Sequence, residues 1–154
     1  MKHLKPAVVA LSLMLALMAG FAATTAQADG HGGHKGGLFV NITTDDTWAA
    51  TKAIMFAHQK ALKNGFKPVA IWLNVRGIYL AHKQRPSHTH GLMKSNIQDM
   101  LQAFIQDGGT VYACQACTKA AGLTPDSFIE GVKMGSEELI LGLLSDPNVK
   151  TLTW

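Results

Sequence analysis

Cysteine is scarce in this chain: Cys114 and Cys117 are its only two among 154 residues. Two thiolates alone cannot complete the four ligands of a structural zinc site. The missing ligands would have to come from His82, His88 and His90, and we do not expect such a site, because polar loops usually hold exposed histidines without a metal. The sequence also lacks a Ser-His-Asp signature and a paired-carboxylate pattern, so nothing in it points to hydrolase chemistry.

A basic stripe is also absent. The formal net charge of +4 includes Lys2 and Lys5, and without them 12 basic and 10 acidic residues leave a net charge of +2. The lysines are scattered and do not interleave with aromatic residues. We therefore expect no nucleic-acid partner.

The first 28 residues have the three parts of a secretory signal peptide. Lys2 and Lys5 form a basic head, an uncharged apolar stretch follows from Pro6 to Ala23, and Ala26-Gln27-Ala28 is a small-x-small cleavage site. The apolar stretch is near the lower length limit of a spanning helix, but the cleavage site and the polar run behind it favour removal. This predicts a periplasmic protein with no stable membrane anchor after cleavage.

Cleavage after Ala28 would expose Asp29-Gly30-His31 at the start of a flexible Gly/His-rich tail, residues 29–37. A free amine, two amide nitrogens and the imidazole of His31 form a square-planar set that suits Cu(II) or Ni(II). His34 could add a weaker ligand. An N-terminal Cu(II) or Ni(II) handler is therefore one alternative function, although a short His-rich tract is only a compositional signal.

Beyond the tail, short apolar runs alternate with amphipathic segments. Strands are predicted at 38–42, 69–73, 110–113 and 149–153, and a stretch ending at Met134 fits a helix or a short strand. Helices are predicted at 48–64, 92–107, 115–121 and 136–146. Alternating strands and helices with near-continuous apolar strands are typical of a covered parallel sheet. We predict a flavodoxin-like, doubly wound, mainly parallel five-stranded sheet over residues 38–154, with helices on both faces.

The Cys114-Gln115-Ala116-Cys117 turn lies where a predicted strand ends and a helix begins. Chemistry in such sheets sits at the carboxyl ends of the strands, and both a helix N-terminus and a C-x-x-C spacing lower a thiol pKa. Such a sulfur can attack a disulfide, carry a persulfide or bind a soft metal. The alternative is a structural disulfide, although closing so short a loop restricts the unfolded chain only modestly.

Two further residues on the predicted edge are candidates for substrate binding. Arg76 follows a strand end and could hold a sulfur oxyanion or stabilise a persulfide, although an exposed salt-bridged arginine is the commoner outcome. Asn74 lies at the same strand end. In contrast, Thr43–Thr47 contains no glycine and is expected to cap a helix rather than bind a flavin phosphate.

Several other conspicuous side chains are expected to have packing roles. His58 lies near the apolar face of the first helix and is interpreted as a core histidine. The three tryptophans, Trp48, Trp72 and Trp154, are also predicted to be packing residues. The dispersed methionines are expected to fill the core rather than to form a copper-binding motif; they are Met55, Met93, Met100 and Met134.

The segment Val111–Leu123, VYACQACTKAAGL, resembles the cysteine turn of the DsrE/DsrF-like sulfur-relay family. Gly122 stands eight positions after Cys114, as in that family. The resemblance extends over nearly the whole chain after the tail. Its other points of agreement are the strand-helix opening at Leu38, Trp72-Leu73-Asn74, Gly131-Val132 and Glu137-Glu138-Leu139.

The resemblance implies a flavodoxin-like fold, assembly as a homotrimer or homohexamer, and sulfane sulfur carried as a persulfide on Cys114. Cys117 matches a second cysteine that some members have. Together with the predicted signal peptide, which departs from the cytoplasmic location of the best-characterised members, this predicts a periplasmic sulfur carrier. It would need no cofactor and would exchange sulfur with a donor or acceptor protein or a small sulfur compound. Any enzymatic activity would be that of a sulfurtransferase or a thiol-disulfide enzyme. The alternative is an oligomeric binding module with a structural Cys114–Cys117 disulfide.

Overall fold

Five parallel strands form the main sheet in a computed structural model that describes residues 35–154. In spatial order they are β6 (Lys133–Gly135), β5 (Thr110–Cys114), β2 (Val69–Leu73), β1 (Gly37–Ile42) and β7 (Val149–Thr153). Two short antiparallel strands, β3 (Thr89–His90) and β4 (Ser95–Asn96), form a separate hairpin. The predicted α/β fold with a mainly parallel five-stranded sheet is confirmed.

The predicted signal peptide and the candidate metal ligands Asp29, His31 and His34 lie outside the described residues, so both remain predictions. Within residues 35–154, no helix combines the length and the apolar character that a membrane span requires.

Four α-helices connect the strands of the main sheet. They are α1 (Thr47–Met55), α2 (Ile97–Gln106), α3 (Gln115–Ala120) and α4 (Glu137–Ser145). The first helix continues as a π-helical turn, Phe56–Ala61, and a 3₁₀ turn, Leu62–Asn64, and ends at Gly65 with a φ of 86°. This left-handed conformation favours glycine at a helix end, and the helix ends where the predicted range 48–64 ends. Two other 3₁₀ segments are Val75–Ala81 and Pro125–Ser127.

The sheet is covered on both faces, because the strand order reverses once. Leu38, Val40 and Ile42 of β1 pack in one core with α1 and α2, whereas Phe39 packs with Ile140 of α4 on the opposite face. The chain steps from β1 to β2, β5 and β6 in one direction and then returns across the sheet to β7. Right-handed crossovers therefore put α4 on the opposite face from α1 and α2.

Helix α2 begins later than the sequence pattern predicted. Residues 92–96 were expected to be helical, but His90 pairs with Ser95 in the hairpin and Lys94 has a φ of 55°. The side chain of Asn96 then accepts a hydrogen bond from the Asp99 amide at 2.9 Å, which caps the helix. Turn geometry and a local cap therefore outweigh the helical spacing of the apolar residues.

The tryptophans do not all pack in the interior, so the prediction for Trp48 is wrong. Trp48 is 75% exposed in the first turn of α1. Trp72 stacks on Phe39 with ring centroids 6.0 Å apart, and Trp154 lies 6.2 Å from the ring of Phe56. One large aromatic side chain is therefore left on the surface.

His58 is the core histidine that the sequence predicted. It is 6% exposed, and its ring makes a T-shaped contact with the ring of Phe104, with the ring centroids 5.8 Å apart. Its Nε2 lies 2.6 Å from the carboxylate of Asp107, which also pairs with Lys63 at 2.8 Å. The Lys63 ammonium, with a smaller contribution from His58, lowers the pKa of Asp107. These contacts link the π-helical and 3₁₀ turns that follow α1 to the residue that ends α2.

The start of α2 can be tested by the sign of one stability change. Asn96→Ala should destabilise the protein by about 1 kcal/mol, because it removes a helix cap. If Asn96 were inside a helix that began at residue 92, alanine would instead stabilise it by a few tenths of a kcal/mol, about 0.5. Urea unfolding measures the difference, and Asn96→Ser, which retains a capping oxygen, is the control.

Candidate functional site

Cys114 occupies a tightly defined junction. It is the last residue of β5 and the residue that caps α3. Its Sγ accepts a hydrogen bond from the Cys117 amide at 3.3 Å, and its carbonyl accepts one from the Thr118 hydroxyl at 2.8 Å. Thr118 is itself buried. The position of the sulfur is therefore set by the turn and not by a mobile loop.

Asn74 joins the cysteine turn to the neighbouring strand. β2 and β5 are paired in register at Leu73 and Ala113, so the residues that follow them meet at one edge. The Asn74 carboxamide oxygen accepts the Val75 amide at 2.8 Å and the Cys117 thiol at 3.2 Å. The structure thus brings together three of the residues predicted from sequence: Asn74, Cys114 and Cys117.

Close backbone packing holds the segment after Asn74 in place. The Asn74 amide donates to the carbonyl of Ile42 at 2.8 Å, which ties it to the end of β1. A Cβ on Gly77 would lie 2.1 Å from the same carbonyl oxygen, so only glycine fits there. Val75 has a φ of 49°, an unfavourable value for a β-branched residue. The site is therefore built on a strained and tightly packed strand end.

The Cys114 thiol differs electrostatically from the sequence prediction. Both cysteines are free thiols, and Cys114 is only 8% exposed. Burial, together with the hydrogen bond to the Cys117 side chain, raises the pKa of Cys114, although amide groups of Cys117 and Ala116 act in the opposite direction. The expected lowering by the helix N-terminus is wrong, because removing the thiolate from water outweighs the two amides.

The two cysteines line different concavities. Cys114 lines one of about 600 Å³ on the α4 side, with Trp72 and Ser136 among its neighbours. The indole Nε1 of Trp72 is buried and has no hydrogen-bond partner within residues 35–154. Cys117 lines another concavity of about 330 Å³, together with Arg76 and Tyr79. The C-x-x-C turn therefore separates two surfaces.

Arg76 lies near Cys117 but is held by a carboxylate. Its guanidinium makes two hydrogen bonds to Asp45, at 2.9 and 2.8 Å, and Arg85 donates to the same carboxylate at 2.7 Å. The two arginines hold the pKa of Asp45 far below its usual range. Arg76 is 66% exposed, so it is the salt-bridged surface arginine that the sequence favoured. It borders the concavity of Cys117 and does not line that of Cys114.

Asp45 was considered only as part of the helix-capping segment Thr43–Thr47, and Arg85 was not singled out from the sequence. Asp45 comes shortly after β1 and Arg76 shortly after β2, and these strands are adjacent and parallel. That adjacency was the available signal, because residues after neighbouring parallel strands meet at one edge. Arg85 lies outside every helix and strand predicted from the sequence, so no pattern predicted its contact with Asp45.

The crevice where the strand order reverses is filled by the protein itself. It lies between β1 and β7, where the amide and the hydroxyl of Thr43 both donate to the Trp154 carbonyl at 2.8 Å. Asp46 caps α1 by accepting the Ala49 amide at 2.8 Å. The predicted capping role of Thr43–Thr47 is thus confirmed. Within residues 35–154, no three His, Cys, Asp or Glu side chains converge on a metal site.

Comparison with known families gives a match over nearly all the described residues. The family model of the DsrE/DsrF-like family matches residues 37–152. An uncharacterized protein of Methanocaldococcus jannaschii is 36% identical over 104 residues, which cover 66% of this chain and 85% of that protein. An uncharacterized protein of Methanopyrus kandleri is 36% identical over 88 residues, 56% of this chain and 67% of the relative.

Solved structures share the fold at low sequence identity. The ychN protein from E. coli superposes with a TM-score of 0.60 and 21% identity, over 77% of this chain and 99% of the other. A protein of unknown function from Methanobacterium thermoautotrophicum gives a TM-score of 0.58 and 16% identity, over 77% and 98% of the two chains. These structures establish the flavodoxin-like fold.

The raised pKa of Cys114 can be measured by alkylation. In a Cys117→Ser variant, which retains a hydrogen-bond donor, the rate of reaction with iodoacetamide should keep rising above pH ~8.5, the ordinary thiol value, because only the thiolate reacts. In denaturant the midpoint should return to the ordinary value. A rate that is already maximal at neutral pH would contradict the burial effect.

Proposed function

Because this chain belongs to the DsrE/DsrF-like family, we propose that it carries sulfane sulfur as a persulfide on Cys114. The observation that carries this proposal is the free Cys114 thiol at the carboxyl edge of the sheet, lining a concavity of about 600 Å³. A concavity of this size admits a small sulfur compound or the side chain of a partner protein. The family suggests a function of the sulfur-relay type.

Loading requires no external oxidant. The Cys114 thiolate attacks the terminal sulfur of a persulfide or of thiosulfate, and a new S–S bond forms. The old S–S bond breaks, and its electron pair leaves with the donor as a thiolate or as sulfite. The thiol proton goes to solvent. A raised pKa makes the thiolate scarce but more nucleophilic, which favours activation by the bound donor over spontaneous reaction.

Cys117 is proposed as the resolving thiol. The Cys117 Sγ donates a hydrogen bond to the carboxamide oxygen of Asn74, and this contact holds the thiol in place. Attack by Cys117 on the Sγ of a Cys114 persulfide would form the Cys114–Cys117 disulfide and release hydrosulfide. Two external thiols would then restore both cysteines and become a disulfide themselves. Asn74 is thus a positioning residue rather than a group that contacts the sulfur donor.

Arg76 is proposed to act on the Cys117 side. It shares a concavity with Cys117, and Arg85 can retain Asp45 when Arg76 turns away. A guanidinium freed in this way pairs well with an oxyanion. It would suit an oxyanion bound on the Cys117 side, such as sulfite or thiosulfate, and it would not contact a donor in the Cys114 concavity.

The alternative is an oligomeric binding module in which the cysteines form only a structural disulfide. Two observations favour the carrier. Both cysteines are free thiols, and the hydrogen bond of the Cys117 thiol is made to Asn74. A disulfide in this turn would remove that contact.

We also propose that copies of the chain assemble into a homotrimer or homohexamer, as the family resemblance implies. Leu141 and Leu144 of α4 are 53% and 47% exposed, and both line the Cys114 concavity. Exposed apolar side chains grouped beside a cavity are typical of an interface. A second copy on α4 would enclose the cavity. Export to the periplasm remains part of the proposal and rests on residues 1–28.

Sulfur loading is tested by intact-mass spectrometry after incubation with thiosulfate or polysulfide. The wild-type protein should gain the mass of one sulfur atom, and reductant should remove it. Cys114→Ser should abolish the gain. Cys117→Ser is the matched control: it should still load and should keep its sulfur longer, because the resolving thiol is missing.

A different result would favour the binding module. If the protein has the mass of a disulfide, does not react with either sulfur donor, and loses stability equally in Cys114→Ser and Cys117→Ser, the carrier proposal fails. Circular dichroism of each variant shows whether a lost mass gain reflects lost chemistry or lost folding.

Assembly through α4 is tested by native mass spectrometry. Replacing Leu141 and Leu144 together by lysine should convert the oligomer to a monomer, because burying two charges at an interface is strongly unfavourable. Leu92→Lys is the control, since Leu92 is 84% exposed on the hairpin and does not line the cavity. A wild-type chain that is already monomeric would overturn this proposal.

A further inference from the structure

Four chemically distinctive side chains meet on the surface far from the cysteine turn in the sequence. Trp48 and Met55 of α1, with His90 and Met93 of the β3–β4 hairpin, line a concavity of about 160 Å³. Trp48 and Met55 are seven residues apart, or two helical turns, so both project from the same side of α1. The hairpin that shortens α2 also brings His90 and Met93 to this side.

We propose that this concavity binds Cu(I) through the thioether sulfurs of Met55 and Met93 and the imidazole of His90. Thioether and imidazole are ligands that Cu(I) prefers, whereas hard cations require oxygen ligands. The indole of Trp48 would lie against the ion, because tryptophan is the aromatic side chain that best attracts a cation to its ring. The rings of Trp48 and His90 are already in contact, with centroids 4.7 Å apart and planes at 75°.

His90 is prepared to give a lone pair without moving a proton. It is 8% exposed, and its Nδ1 accepts the Met93 amide in a long hydrogen bond of 3.3 Å. A neutral ring that accepts at Nδ1 carries its proton at Nε2. A cation at Nδ1 therefore replaces a weak hydrogen bond, and it does so beside the residue that supplies one of the thioethers.

The polar surroundings favour a monovalent ion. Among residues 35–154, no carboxylate lines the concavity, whereas Lys52 does. A neutral ligand set next to an ammonium opposes a divalent cation more strongly than a monovalent one, because the Coulomb repulsion doubles. The hydroxyl oxygen of Thr51 is a further candidate ligand. Thr51 is 4% exposed, and this oxygen has no hydrogen-bond partner within residues 35–154.

The exposure of the rim also fits a binding site better than a packing contact. Trp48 is 75% exposed and Leu92 is 84% exposed, and both line this concavity. Large apolar side chains grouped at a surface mark a site of interaction. The two methionines were expected only to fill the core. They also pack against it, but each borders this concavity.

The site is tested with Ag(I), a stable substitute for Cu(I) with the same ligand preference. The full chain carries Cys114→Ser and Cys117→Ser, so that no thiol competes, and its methionine methyl groups are labelled with ¹³C. In NMR spectra, Ag(I) should shift the Met55 and Met93 signals together and saturate at one ion per chain. The Met100 and Met134 signals should not move, and Trp48 fluorescence should fall.

Variants separate this site from other silver-binding groups. Met55→Leu, Met93→Leu and His90→Asn should each weaken binding by more than the ~10-fold typical of a second-shell change. Met134→Leu is the matched control and should leave binding unchanged. Saturable shifts that persist in all three variants, or Met55 and Met93 signals that stay fixed while Ag(I) binds elsewhere, would overturn the proposal. The result does not depend on sulfur loading.

Discussion

The common direction of the five strands is the constraint on which the rest of the structure depends. Parallel pairing fixes β2 against β5, so that Asn74 and Cys114 emerge at one edge although they are 40 positions apart in the chain. The same pairing carries Asp45 to Arg76 at the ends of β1 and β2. A polar cluster at this edge is therefore a product of topology, and the side chains there only refine it.

The cysteine turn also separates two environments on opposite sides of α3. Cys114 lines a concavity together with apolar side chains from α4, whereas Cys117 lines one together with the 3₁₀ segment that carries Arg76. One short helix thus gives two identical functional groups different solvation and different neighbours. On the proposed carrier function, a donor and an acceptor of unlike chemistry would each be recognised by a different surface.

The sequence was sufficient for features set by strong local patterns. Apolar runs located the strands, and the position of Cys114 after Ala113 predicted its place at the edge. The sequence was insufficient where weak interactions of opposite effect decide the structure. The start of α2 depends on the hairpin conformation of Lys94, and the sign of the pKa change at Cys114 depends on burial that two local amides cannot offset. The neighbourhood of Met55 and Met93 depends on tertiary packing across 38 positions.

The burial of Cys114 also affects how long its thiol escapes oxidation. Peroxide and other electrophiles consume thiolates, and they do so irreversibly beyond the sulfenic acid stage. A sulfur that stays protonated at neutral pH and is 8% exposed offers these reagents little to attack. The same environment that slows its chemistry in isolation protects it from oxidative damage, so durability and reactivity are set by one physical property of the turn.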